Sequence, residues 1–201
     1  MTGYADFEGY KIYKSRDGGN TWGNPDDMIY DTDGIFAGWR PYRQYDLSAE
    51  EDSLHCVYSR GFDCPEDSRR GHPINGQDPY FPWFSLGTDT GLDAIRLDEP
   101  VVINGDTMRY MFKDQNVTDG LEYTYSVVAY DMGVEPPFKE TYADIGGGQF
   151  EVVVDTNYSN PDQWADPEGY ASIENSKGTT VLDRNFVQVY PGVTPVASLG
   201  D

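Results

Sequence analysis

The sequence predicts an all-β protein, a β-sandwich that carries two long irregular insertions. Three observations lead there. Residues 6–15 and 119–130 alternate their side chains and are rich in aromatic and β-branched residues, the pattern of half-buried strands. The pair Asn104-Gly105 lies between two more strand-like runs, 100–103 and 107–112, and favours a type I′ hairpin turn. The 201 residues include 22 Gly, 13 Pro and 14% aromatics, which suits loop-rich β structure better than helices. A chain of this length buries one good core, so residues 1–192 are expected to form a single domain.

In the first strand Tyr10, Ile12 and Lys14 share one face, and Gly9, Lys11 and Tyr13 the other. In the strand ending at Tyr130, Tyr123, Tyr125, Val127 and Ala129 share a face, opposite Glu122, Thr124, Ser126 and Val128. The two strands are expected to lie side by side in one sheet. The first is followed by Ser15-Arg16-Asp17-Gly18-Gly19-Asn20-Thr21-Trp22. Glycines here can take φ > 0, the Asp17 and Thr21 side chains can bond local backbone groups, and Trp22 can fold back over the turn. Ser15, Asp17, Gly19, Thr21 and Trp22 fit the Asp-box pattern that recurs in sialidase-like propellers. A propeller would repeat it at regular spacing, and the chain holds one copy, so it is read as a structural hairpin.

Residues 24–98 form the first insertion. Prolines punctuate it, yet its density of Trp and Tyr argues for order rather than disorder. Ser48 can cap a short helix, with Glu51 three residues on. Cys56 and Cys64 are separated by seven residues, which suffices for a small disulfide loop; two buried thiols are the plainer alternative. The second insertion spans about 132–175. It contains Gly146-Gly147-Gly148, a strand at 150–154 and a polar loop at 157–164. The last strand, 185–190, stops at Pro191-Gly192, and 193–201 reads as a linker or assembly arm.

The charge bounds the function. With 35 acidic and 14 basic residues the net charge is -21, which repels nucleic acid and anionic lipid. No run of 18 apolar residues exists, so no membrane insertion is expected. The opening Met1-Thr2-Gly3-Tyr4 has neither the basic nor the apolar region of a secretory signal. A disulfide would imply an oxidising compartment, hence a secreted or cell-surface protein.

Candidate sites are few. Asp31-Thr32-Asp33-Gly34 begins like a calcium loop, and Asp26 and Asp27 could add oxygens, but the twelfth position is Tyr42 rather than the closing Glu. Ordinary Asp-rich turns are the plainer reading. His55 and His72 match no zinc spacing, and no Gly-x-Ser-x-Gly elbow accompanies them. A pair of glycosidase carboxylates cannot be picked out among so many acids. No catalytic residues are assigned, and the chain is not expected to be an enzyme. Trp39, Trp83 and Trp164 could stack on a glycan; core packing is their plainer role. Asn116-Val117-Thr118 and Asn157-Tyr158-Ser159 fit the glycosylation pattern.

Residues 7–15, 117–129 and 185–190 resemble the third, sixth and seventh strands of the fibronectin type III family, particularly copies in large secreted bacterial surface proteins. The resemblance implies an immunoglobulin-like sandwich and places Tyr123 at the tyrosine-corner position, where its hydroxyl would bond the backbone upstream. It covers about 50 residues. The two insertions depart from the family, and nothing before Asp6 provides its first two strands. The open core would then be completed by further chain, by insertion strands at 101–103 and 150–154, or by another molecule through strand addition. The expected function is a non-enzymatic extracellular structural or adhesion module, in a surface or filament assembly, with protein partners or copies of itself. A carbohydrate-binding accessory module is the alternative. A sialidase-like enzyme fragment rests on the Asp box alone.

Overall fold

The computed structural model describes residues 7–48, 50–51, 76–78, 81, 83–131, 139–155 and 171–192. Cys56, Cys64, His55, His72, Trp164, the sequon at 157–159 and the tail 193–201 lie outside the described residues.

The fold is all-β. Strands dominate, and among the described residues no helix reaches seven residues. In chain order the strands are β1 (Phe7–Ser15), β2 (Met28–Tyr30), β3 (Phe36–Trp39), β4 (Arg43–Asp46), β5 (Gly76–Gln77), β6 (Ser85–Gly87), β7 (Arg96–Ile103), β8 (Asp106–Tyr110), β9 (Tyr123–Asp131), β10 (Lys139–Gly146), β11 (Gln149–Asp155) and β12 (Phe186–Val189). Single 3₁₀ turns occur at Pro25–Asp27 and Leu92–Ile95. No helix among the described residues is long and apolar enough to cross a membrane.

One antiparallel sheet organises the rest, in the order β12-β9-β1-β4. The two anchor strands are neighbours, with Tyr10 opposite Ala129, Ile12 opposite Val127 and Lys14 opposite Tyr125. Directly paired residues point to the same side. The first face therefore carries Tyr10, Ile12, Tyr45, Tyr123, Tyr125, Val127, Val187 and Val189. The second carries Lys11, Tyr13, Ser126, Val128, Tyr130 and Phe186. The core cluster lies on the second face, where Tyr13, Trp22, Val128 and Phe186 are buried together and Trp39 packs on them.

The first insertion does more than pack on the sheet. It supplies β4, an edge strand paired to β1 from Gly9–Asp46 to Ile12–Arg43. The sequence Arg43-Gln44-Tyr45-Asp46 has no apolar alternation to announce a strand; the exposed edge of β1 selects it. Gly9 allows the approach. A Cβ there would sit 2.2 Å from the Tyr45 carbonyl oxygen and 2.7 Å from the Asp46 Cα. Asp46 is buried and accepts from the Thr88, Asp89 and Thr90 amides and from the Thr90 hydroxyl, which pins the 88–90 loop to β4. Ser48 and Glu51 exchange the expected capping bonds: the Ser48 amide donates to the Glu51 carboxylate at 2.9 Å, and the Glu51 amide to Ser48 Oγ at 3.3 Å.

The remaining strands pair locally. Residues 101–103 and 150–154 do not extend the main sheet; they belong to the hairpins β7–β8 and β10–β11. Asn104 and Gly105 both take positive φ, 52° and 89°, as a type I′ turn requires. β8 ends at Tyr110, and the chain beyond it crosses the first face. There Tyr10 meets Tyr110 at 6.3 Å and Tyr45 meets Phe112 at 6.1 Å between ring centroids.

Candidate functional site

Three regions gather chemistry. The first is the hairpin after β1. The Ser15 hydroxyl is buried, donates to Asp17 Oδ1 at 2.6 Å and accepts from the Gly19 amide at 2.9 Å. Asp17 also accepts from the Thr21 amide at 2.9 Å and the Thr21 hydroxyl at 2.8 Å. Burial opposes ionisation of Asp17, but the bonds from Ser15 and Thr21 overcome it and hold its carboxyl below the usual range. Trp22 closes the turn, edge-on to Tyr13 at 6.2 Å and to Phe186 at 6.1 Å. These five residues satisfy one another and anchor the turn to the core.

The second region lies at the end of the first face. Asp114 accepts from Lys14 Nζ at 2.7 Å, the Tyr125 hydroxyl at 2.6 Å, the Tyr42 hydroxyl at 2.9 Å and the Asn116 amide at 2.8 Å. Burial acts against its charge, yet those four donors hold its pKa far below the ordinary carboxylate value. Burial, and then Asp114 itself, push the Tyr125 hydroxyl up. Lys14 Nζ also donates to the Asn116 carbonyl at 2.6 Å and sits over the rings of Tyr123 and Tyr42 at 4.5 and 4.8 Å. The Tyr123 hydroxyl accepts from the Thr118 amide, five residues upstream, at 3.0 Å. Beside this knot opens a cleft of about 550 Å³, bounded by Arg16, Arg40, Arg43 and Asn24.

The third region is on the second face. The segment 171–177 runs beside the upper half of β9, with Glu174 bridged to Tyr130. Glu174 accepts from Lys11 at 3.3 Å and from the Tyr13 hydroxyl at 2.9 Å, and pairs with Lys177. Burial depresses the Lys11 pKa, an effect that Glu174 opposes. Burial and the Glu174 charge raise that of Tyr13. These groups floor a recess of about 220 Å³ walled by Trp39, Phe81 and Phe84. Trp39 is half-buried and packs edge-on to Phe36 at 5.5 Å. Trp83 packs at tilted angles against Phe81 at 5.6 Å and Phe84 at 6.4 Å.

The aspartates proposed for calcium cap turns. Asp31 Oδ1 accepts from the Asp33 amide at 2.9 Å and the Ile35 amide at 2.8 Å. Asp27 accepts from the Asn24 amide at 2.8 Å, and Asp26 lies in the adjoining 3₁₀ turn. Among the described residues no three His, Cys, Asp or Glu side chains gather closely enough to hold a metal. The sequence reading missed the Asp114 knot and the arginine cleft. The knot joins residues about 70 to 100 positions apart, and the cleft sets the arginines of 16–43 against Asn116 of the 111–118 segment. No family model, curated protein or solved structure matches the chain.

Proposed function

We propose that the protein is a non-enzymatic extracellular structural or adhesion module, resembling a fibronectin type III module, whose first face is completed by a β element of a neighbouring copy. One observation carries this reading. The first face is apolar but only partly covered: Val127 on the inner strand β9 is 43% exposed, and Val187 beside it on the edge strand β12 is 50% exposed. Hairpin β7–β8 and Ile95 cover part of it and leave an apolar cleft of about 530 Å³ over Ile12 and Val127. A contiguous apolar patch of this kind marks an interaction surface. The strand order supports the resemblance, since the segments read as the seventh, sixth and third strands lie adjacent, with β4 added at the edge as in the larger immunoglobulin sheets.

Trp39 and Trp83 pack against their own aromatic neighbours, which supports a packing role over glycan stacking. A secreted or surface location rests on the resemblance and on the disulfide that the spacing of Cys56 and Cys64 allows. Hydrogen exchange at low and high protein concentration tests the reading. Amides of the edge strand β12 should gain protection as concentration rises. Unchanged protection there would contradict it.

A further inference from the structure

The arginine cleft is out of character with the chain. Only 14 of 201 residues are basic, against 35 acidic, yet Lys14, Arg16, Arg40 and Arg43 line one cavity. Lys14 is committed to Asp114. The three arginines are exposed, and among the described residues none has a carboxylate within ion-pair distance. Among the described arginines only Arg96 pairs with a carboxylate; what sets Arg16, Arg40 and Arg43 apart is that they line one cavity. Arg43 is already oriented: its guanidinium lies over the Tyr42 ring at 4.4 Å and donates to the Tyr42 carbonyl at 2.7 Å. Arg16 leans toward the Tyr123 ring at 5.9 Å. Arg40 is tied through its backbone amide to the Asp27 carbonyl at 2.7 Å. A planar guanidinium is the group that grips an oxyanion in a two-pronged manner.

The rest of the wall narrows the anion. Asn24, Asn116 and Thr21 offer neutral amide and hydroxyl groups, and Asp17 and Asp27 stand on the same wall. Those two carboxylates repel a ligand with dense charge but accept hydrogen bonds from hydroxyls. Long-range repulsion from the whole molecule likewise disfavours nucleic acid and anionic membranes. The volume, about 550 Å³, is that of a small-ligand site. We infer that this cleft binds a carboxylated sugar, with its single carboxylate on Arg16, Arg40 and Arg43 and its hydroxyls on Asn24, Asn116 and the Asp17–Asp27 wall. The site is independent of the apolar face and makes no use of Trp39 or Trp83.

The experiment is calorimetric titration of the full chain with a trisaccharide that carries a single galacturonic acid residue, at low salt. Saturable 1:1 binding is expected. It should weaken at least tenfold in Arg16→Gln/Arg40→Gln and in the methyl ester of the same trisaccharide. Arg109→Gln/Arg184→Gln, which removes the same charge outside the cleft, should bind like wild type. All four arginines are exposed, so circular dichroism should report an unchanged fold. Failure of the acid to bind, equal binding of acid and ester, or equal loss in both double variants would each overturn the proposal. So would tighter binding of a sulfated trisaccharide, because the site would then select charge density rather than a carboxylate.

Discussion

Asp114 shows what one side chain does for the sheet: one carboxylate ties β1, β9, the Tyr42 loop and its own segment together. Its folded pKa is depressed, so the unfolded chain takes up the proton more readily. By linkage its stabilisation is complete above the unfolded value, near pH 4, and disappears as pH falls from there through the lower folded value. Asp114→Asn should therefore cost about 1–3 kcal/mol at pH 7 and flatten the acid limb of stability below pH 4. Urea unfolding at pH 7 and pH 3 reads both effects; a wild-type acid limb in the variant would refute the assignment. Gly19 is the second telling residue. Its φ is 92°, and a Cβ there would lie 2.9 Å from the Phe186 ring. Gly19→Ala should destabilise by about 1–3 kcal/mol, seen as a lower urea midpoint with unchanged slope.

At the level of elements, the sequence made some strands plain and hid others. The Asn104-Gly105 turn and the alternation of β1 and β9 are local signals, and local signals survive in sequence. β4 was hidden because its partner dictates it: four polar and aromatic residues become a strand by occupying the free edge of β1. Which face would hold the core was also not written locally. Alternation marks two faces, but Trp22 of the hairpin after β1 and Trp39 of the first insertion choose the second. The Asp-box turn was legible because five residues within one octet satisfy each other, whereas the Asp114 knot assembles residues far apart in the chain. Gly9 carries the main element-scale prediction. Because the atoms that a new Cβ would strike belong to backbone, no side chain can move aside. Gly9→Ala should detach β4 from β1 and cost about 2 kcal/mol or more. Rapid exchange of the β4 amides in the variant checks it; full protection there would contradict the pairing.

At the scale of the whole molecule, two features pull in different directions. A net charge of -21 keeps copies apart, while an apolar sheet face invites them together. Salt screens the first and leaves the second, so association through the sheet should strengthen as salt is added. Sugar binding in the arginine cleft should weaken under the same change. The two sites are thereby separable in one titration series. The central claim is that the open face of the sheet is an assembly surface, and the direct test is molar mass by light scattering across protein concentration at moderate salt. The account predicts mass rising with concentration beyond the 22.6 kDa of one chain, and a constant single-chain mass for Val127→Asp/Val187→Asp. A folded wild-type protein that keeps its single-chain mass at every concentration would contradict it.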